Sequence, residues 1–190
     1  MLFRSRALAA YVTLAPGEAH RAGTVVAGVL GTDLALGELT AVARTRFADA
    51  APRLRALPRG GFGLAHRDDA DEDGQAEFYF TRLDAAGRIE HGPSRISRAD
   101  GYQGPRLAAG GEVVYSAAVR SFQRNFLVGV NRFDERGVKR GGEYQVYADQ
   151  SDFTRVALDV RGGRVTLLYG EDRRDRGRVL AARVVCRSTP

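Results

Sequence analysis

Short apolar segments separated by turn residues cover most of this chain. Two central examples, VVYSAAV at 113–119 and FLVGVNRF at 126–133, are rich in β-branched and aromatic residues, and the breaks between such segments fall at Gly or Asp. Both residues favour the tight turns that join antiparallel strands, because they tolerate backbone conformations that most residues avoid. The pattern therefore predicts an all-β protein of short strands joined by hairpins.

The same succession of segments recurs along the chain. Four markers share a spacing of about 51 residues: a Gly-Gly pair, an Ala-Asp pair, a triplet centred on Arg, and an Asp-led turn that ends in Gly. Agreement among independent markers indicates tandem repeats of one structural unit. The Gly-Gly pairs begin at Gly60, Gly110 and Gly162, the Ala-Asp pairs at Ala48, Ala99 and Ala148, the triplets at Pro52, Pro105 and Thr154, and the turns at Asp33, Asp84 and Asp134.

Each repeat contains four predicted strands, which in the second complete repeat are 105–109, 112–119, 125–133 and 143–148. Over essentially its whole length the chain resembles β-propeller repeat proteins, whose blades are four-stranded sheets. It has no Trp, so it lacks both the Trp-Asp signature of WD repeats and the Trp-ended box of sialidase-like blades. The resemblance therefore implies an architecture and not a particular family.

The predicted fold class is all-β, a partial and truncated β-propeller of four-stranded blades. The expected units are an incomplete blade at 6–50, complete blades at 51–103 and 104–152, and a second incomplete blade at 153–190. A propeller closes with at least about four blades, so we expect the remaining part to lie upstream. We expect the cores between sheets to contain Leu54, Leu64, Leu107, Val114, Leu127, Val156, Leu167 and Val184.

The first five residues, MLFRS, are set apart from the repeat. The codons GTG CTC TTC CGA TCT encode them, and CTCTTCCGATCT is the end of a common sequencing adaptor. We interpret residues 1–5 as a cloning or sequencing scar and exclude them from the fold. The alternative is that they are native.

Composition excludes several functional classes. The net charge is +6, but the 29 basic residues are interleaved with 23 acidic ones, which disfavours a nucleic-acid surface. No apolar run approaches the roughly 18 residues of a membrane span. Cys186 is the only Cys, and the three His residues lack ligand spacing, so neither a disulfide within the chain nor a zinc site is expected. A secreted or cell-surface location is expected, with any signal peptide upstream.

The segment HRDDADEDGQAEFYF, 66–80, contains five acids within six residues. Alternating carboxylates followed by Gly74 supply the hard oxygen ligands that Ca²⁺ prefers. The pattern resembles the D-x-D-x-D-G-x-x-D loops of integrin-type propellers, with Glu at the last position. We expect at most one Ca²⁺, and the alternative is a solvated hairpin tip. The candidate ligands are Asp69, Asp71, Asp73, the Gln75 carbonyl and Glu77.

The propeller resemblance implies that the loops between second and third strands, and those between blades, share one face. Arg53, Arg106 and Arg155 begin the innermost strand of three successive units on this face. Guanidinium groups bind carboxylate, sulfate or phosphate through paired donors, as in sialidase-type propellers. The alternative is structural, because each Arg is preceded by an Asp that could pair with it: Asp49, Asp100 or Asp149.

Other residues on this face differ between units, as expected of a surface that recognises one ligand. Tyr102, Gln103 and Asp152 are the candidates, and Tyr102 could stack on a sugar or a side chain. No catalytic residue can be assigned from sequence motifs. We therefore predict a non-catalytic binding module for a protein or glycan. The alternative is a fragment of a sialidase-like propeller glycosidase or lyase that acts on an anionic sugar.

Overall fold

A computed structural model describes residues 7–14, 22–48, 50–97, 102–122, 125–148, 152–161, 164–173 and 176–185. Within these ranges the chain is all-β and forms four small antiparallel sheets. Sheet I contains β1 (Ala7–Thr13), β2 (Gly23–Leu30) and β3 (Leu36–Thr45). Sheet II contains β4 (Arg53–Ala56), β5 (Phe62–Asp68), β6 (Glu77–Leu83) and β7 (Ile89–Arg95). Sheet III contains β8 (Tyr102–Gly110), β9 (Val113–Phe122), β10 (Asn125–Asp134) and β11 (Tyr144–Ala148). Sheet IV contains β12 (Asp152–Arg161), β13 (Arg164–Arg173) and β14 (Arg176–Val185).

Within each sheet, strands that are consecutive in sequence are paired side by side. The connections therefore alternate between two ends of each sheet. We call the end with the β5–β6 connection, and the matching end of the other sheets, the loop end. The turn end carries the β2–β3, β4–β5, β6–β7, β8–β9, β10–β11 and β12–β13 connections.

The repeated Asp-led sequences form the turns that were predicted. Asp84 Oδ1 accepts hydrogen bonds from the backbone N–H groups of Ala86 and Arg88, at 2.7 and 2.9 Å. Asp134 Oδ1 does the same for Arg136 and Val138. Gly87 and Gly137 close both turns at a φ of 82°, a conformation that favours glycine. The repeated Asp and Gly are therefore explained by local hydrogen bonding and backbone geometry.

The sheets pack in sequence order through alternate side chains. In sheet II, Leu64 lies in a core shared with sheet I, whereas Ala65 lies in a core shared with sheet III. In sheet III, Leu127 faces sheet II and Val128 faces sheet IV. Because successive residues of a strand point to opposite faces, a sheet between two others is apolar on both sides. Leu64, Leu107, Val114, Leu127, Val156 and Leu167 are buried as predicted, Leu54 is half-buried, and the side chain of Val184 lies outside the described part.

Two aromatic rings form the centre of the contact between sheets II and III. Phe80 on β6 and Phe133 on β10 are both fully buried, and their rings meet edge to face with centroids 4.9 Å apart. Gly63 on β5 makes room for Phe80, since a Cβ there would lie 2.6 Å from the ring. First strands also meet, because β8 packs against both β4 and β12. This convergence of first strands makes the arrangement propeller-like.

Strand pairing at the loop end extends into segments without a strand pattern. The predicted strands of the second complete repeat leave 120–124 unpaired, yet pairing continues to Phe122↔Asn125, and in sheet IV it continues to Arg173↔Arg176. Apolar and polar residues do not alternate in these segments. Strand pairing depends on hydrogen bonds between backbone groups, so it continues without that alternation. The described residues contain no helix with the length and apolar character that crossing a membrane requires.

Candidate functional site

A cavity opens at the loop end between sheets I and II. Its volume is about 550 Å³, within the roughly 300–1,000 Å³ of ligand pockets. The end of β1, the start of β2 and the ends of β3 and β5 form its walls. We call it the loop-end cavity. Its polar lining consists of Thr13, Thr24, Arg44, Thr45, Arg46, Asp68 and Asp69.

The wall formed by the end of β3 is tied to β5 by short-range contacts. The buried Thr45 hydroxyl donates to the Arg67 carbonyl at 2.6 Å and accepts from the Phe47 N–H at 3.0 Å. The guanidinium of Arg67 lies over the Phe47 ring, 4.3 Å from its centroid, which is a cation–π contact. The backbone N–H of Arg46 donates to Asp68 Oδ1 at 3.0 Å. These contacts fix one side of the cavity before any ligand binds.

Three aspartates of the β5–β6 connection converge beside this cavity. Asp69, Asp71 and Asp73 each offer a carboxylate oxygen, and these oxygens lie within 4.8 Å of one another. Asp69 is only 7% exposed; its Oδ2 accepts from the Gly74 N–H at 3.1 Å. Its Oδ1 is buried and accepts no hydrogen bond from any described group. Three close carboxylates with an unsatisfied buried oxygen fit the oxygen-ligand chemistry of Ca²⁺.

Glu77, the expected fifth ligand, is not in this cluster. Its side chain is 1% exposed, and Oε1 pairs with the Arg95 guanidinium at 2.7 Å. Its Oε2 accepts from the Ala70 N–H and from the Tyr79 hydroxyl, at 3.2 and 2.9 Å. Burial and the bond to Glu77 raise the pKa of Tyr79, which keeps that hydroxyl protonated as a donor. Glu77 thus supports the base of the loop.

Other contacts neutralise part of the negative charge of the loop. The guanidinium of Arg46 pairs with the Glu72 carboxylate, and this hydrogen bond holds the pKa of Glu72 below its usual value. Arg95 also lies 4.0 Å from Asp71. Asp73 accepts from the Gln75 N–H at 2.7 Å, and the role of the Gln75 carbonyl as a ligand stays a prediction. Asp69, whose buried Oδ1 accepts no hydrogen bond from a described group, is therefore the carboxylate for which a cation would matter most.

The three arginines predicted at the starts of the first strands occupy matching positions in the sheets, but only Arg53 begins its strand. Arg106 lies within β8 and Arg155 within β12, because both strands start earlier than predicted. Arg53 pairs with Ala65, Arg106 with Ala117 and Arg155 with Gly170. Register shifts immediately precede Arg106 and Arg155 in their ladders, so the irregularity is itself repeated. Arg53 is exposed and Arg106 is half-buried, and the Arg106 guanidinium donates to the Pro105 carbonyl at 3.2 Å. The Arg155 side chain and Asp49, Asp100 and Asp149 lie outside the described part.

The remaining candidates lie in strands and not in the connections where they were expected. The backbones of Tyr102 and Gln103 begin β8, and that of Asp152 begins β12. Tyr102 pairs with Arg120 and Asp152 with Asp172. Their side chains lie outside the described part, so their role in binding stays a prediction.

Residues of a second cleft were missed at the sequence level. At the turn end, between sheets II and III, a cleft of about 910 Å³ is lined by polar side chains. One available signal was the Arg content of the turn segments 57–61 and 134–140, LPRGG and DERGVKR. Arginines are frequent throughout the chain, so these segments do not stand out in the sequence.

Comparison with known proteins identifies a similar fold but no family. No protein-family profile and no curated protein matches the sequence. The crystal structure of an endo-arabinase from Bacteroides thetaiotaomicron VPI-5482 matches with a TM-score of 0.53 and 12% identity, covering 98% of this chain and 74% of that one. At this identity the likeness concerns the fold alone. The chain therefore has an all-β, propeller-like fold similar to that of this endo-arabinase.

Proposed function

We propose that the chain is a non-catalytic β-propeller binding module that recognises a glycan or protein at the loop end. In this proposal sheets I to IV are blades, spanning 6–50, 51–103, 104–152 and 153–190. The observation that supports the proposal is the loop-end cavity, at the end of the sheets where the propeller resemblance implies the candidate binding loops. Arg53 begins β4 at the same end, and Arg106 is the fifth residue of β8 counted from that end.

The lining of the cavity favours a glycan over a flat protein surface. The hydroxyl of Thr24, the guanidinium of Arg44 and the carboxylate of Asp68 offer donors and acceptors around one concave space. Sugar hydroxyls both donate and accept hydrogen bonds, so they match such a mixed lining, and a few well-placed polar groups give a pocket its specificity.

Carboxylates near the cavity are already engaged, which favours binding over catalysis. Asp68 accepts from the Arg46 N–H, Asp69 from the Gly74 N–H, and Glu72 pairs with Arg46. A general acid must instead hold a proton for a reacting oxygen. Carboxylates that already accept these hydrogen bonds therefore shape the site and do not act as general acids.

The second candidate is a glycosidase, and the likeness to an endo-arabinase favours it. Hydrolysis of arabinan, sialosides or polyuronates by the protein would establish it, particularly if Arg106→Ala abolished turnover. We expect no turnover on any of these substrates.

The binding proposal is tested with a glycan array followed by calorimetry on the strongest ligand. We expect Arg44→Gln to weaken binding by about tenfold, since a lost hydrogen bond from a charged group has about this effect. Arg88→Gln is the matched control, because Arg88 is exposed in the β6–β7 turn at the opposite end. Equal losses in both variants, or binding to no glycan, would contradict a glycan site in this cavity.

We propose in addition that one Ca²⁺ is held by Asp69, Asp71 and Asp73 and has a structural role. The buried, unsatisfied Oδ1 of Asp69 and the mutual proximity of the three carboxylates support this. A divalent cation would remove the repulsion among these carboxylates and tie the β5–β6 connection to the wall of the loop-end cavity.

Calcium at millimolar concentration is expected to stabilise the protein by about 1–3 kcal/mol relative to chelator, the range for a weak site near saturation. Thermal unfolding would measure this, and Asp71→Asn should abolish the shift. Asp159→Asn, on a half-buried aspartate of sheet IV that pairs with Arg161, is the control and should retain it. An unchanged melting temperature in the parent, or the same calcium shift in Asp71→Asn, would leave the loop a solvated hairpin tip.

A further inference from the structure

The cleft at the turn end, between sheets II and III, is separate from the loop-end cavity. We call it the arginine cleft. Strands β5 and β6 connect the two ends, and seven residues of strand span roughly 23 Å. Its volume of about 910 Å³ would hold a ligand of several rings. Five guanidinium groups line it, those of Arg59, Arg82, Arg132, Arg136 and Arg140.

Ion pairs between the two sheets build the walls of the cleft. Arg82 of sheet II pairs with Glu135 of sheet III, and their side chains are 15% and 11% exposed. The same guanidinium pairs with Glu90 and donates to the Gly60 carbonyl at 3.3 Å. Arg59 pairs with Glu112 across the same boundary. Because Arg82 is held by three groups, this part of the cleft is rigid before a ligand arrives.

Two of the five guanidinium groups have no carboxylate partner among the described residues. Arg140 pairs with Asp134 at 2.9 Å, so this acid is engaged as well. Arg132 donates through Nε to the Arg140 carbonyl at 3.0 Å, which leaves its terminal nitrogens available. Arg136 is exposed at the cleft, and its side chain makes no described ion pair or hydrogen bond. The cleft thus presents two guanidinium groups without a described carboxylate partner, and its five arginines outnumber its four acids by one.

Carboxylate oxygens that can accept hydrogen bonds lie beside these guanidinium groups. The Oε1 atom of Glu135 is buried and accepts no hydrogen bond from a described group, although Oε2 pairs with Arg82. Glu90 and Glu112 expose about half or more of their side chains to the cleft, at 42% and 69%. Carboxylates can accept hydrogen bonds from hydroxyl groups of a ligand in addition to those from arginine.

We propose that the arginine cleft binds an oligosaccharide of uronic acid residues, at a site distinct from the loop-end cavity. The isolated carboxylates of such a ligand match the forked donors of Arg132 and Arg136. Its hydroxyl groups match the exposed carboxylate acceptors of Glu90 and Glu112. A densely charged polyanion fits less well, because four carboxylates of the cleft would repel it. A neutral sugar leaves both guanidinium groups without an anionic partner.

The experiment is calorimetric titration of the whole chain with trigalacturonic acid, its methyl ester and tripolyphosphate. The methyl ester retains the sugar backbone without the charge, and tripolyphosphate tests simple attraction of anions. We expect the free acid to bind at least about tenfold more tightly than either. Binding of the ester or of tripolyphosphate as tight as that of the acid would overturn the proposal, and so would the absence of binding by the acid.

Single substitutions identify the cleft in which trigalacturonic acid binds. Arg136→Gln and Arg132→Gln should each weaken binding of trigalacturonic acid by about tenfold, the effect of losing one charged hydrogen-bonding partner. Arg88→Gln lies in a neighbouring turn outside the cleft, and Arg44→Gln lies in the loop-end cavity; both should bind with unchanged affinity. Weakening by Arg44→Gln in place of Arg136→Gln would assign the uronate to the loop end and overturn this proposal while leaving the proposed function intact.

Discussion

Replacing Phe80 with alanine is expected to lower the free energy of unfolding by about 3–5 kcal/mol. Phe80 is fully buried, contacts Phe133 edge to face, and lies where Gly63 leaves space for its ring. The change removes the aromatic contact and leaves a cavity between sheets II and III, which the surrounding strands can fill only in part. Chemical denaturation monitored by circular dichroism measures the loss.

The matched control is Tyr144→Ala, which removes an aromatic side chain that is 40% exposed on β11. We expect it to change the free energy of unfolding by less than about 1 kcal/mol, since little buried surface is lost. Phe80→Leu should lie between the two, because leucine refills part of the cavity. A Phe80→Ala loss no larger than that of Tyr144→Ala would contradict the described packing of sheet II on sheet III.

Acidification from pH 7 towards pH 4 is expected to cost about 3 kcal/mol of stability through one residue, His66. This side chain is 2% exposed on β5 and stacks on Tyr79, with ring centroids 5.7 Å apart. Burial lowers its pKa to about 4 from the ordinary 6.5, and the nearby Asp68 carboxylate opposes this only weakly. The neutral imidazole is therefore the form that the fold accommodates.

The direction of the effect follows from proton binding. Below pH 6.5 the unfolded chain takes up a proton at His66, whereas the folded chain does so only near pH 4. The unfolded state is thus favoured progressively across this window, and the full stability is present above it. Denaturation curves between pH 4.5 and 7.5 would show the slope. His66→Gln should flatten it, and His91→Gln, an exposed control, should not; equal slopes in the parent and His66→Gln would refute the prediction.

Ligand binding at the two ends should be separable from these effects on stability. Arg44 and Arg136 are exposed and lie outside the buried clusters between the sheets. Their substitution is therefore expected to change affinity with little change in the free energy of unfolding. Phe80→Ala, in contrast, is expected to change the free energy of unfolding with little change in affinity.

Strands, turns and most core positions could be read from the sequence, because the forces that set them act within a few residues. Asp134 caps its own turn through hydrogen bonds to residues two and four positions later. Leu64 and Leu127 are buried because alternation along a strand places them on one face. The repeat also predicted that Arg53 and Arg106 would occupy corresponding positions. Each of them pairs with an alanine in the second strand of its sheet.

The positions at which strands end could not be predicted from local sequence, because they depend on the partner strand. The sequence near Phe122 and Asn125 shows no apolar alternation, yet the two residues pair, since the ladder depends on backbone groups of both strands. Glu77 likewise has the spacing of a calcium ligand, but pairing with Arg95 on β7 engages it elsewhere. Local spacing does not contain this information, because the competing partner comes from another strand.

The sequence by itself determined an all-β repeat with its turns, its alternating core positions and the acidic connection of sheet II. Only the tertiary structure decided which charged side chains share a cleft. The pairs Arg59–Glu112 and Arg82–Glu135 each join residues 53 apart, about one repeat, because packing of adjacent sheets brings corresponding turns together. Their partners depend on how one sheet is placed on the next, and that placement is set by the buried side chains between the sheets.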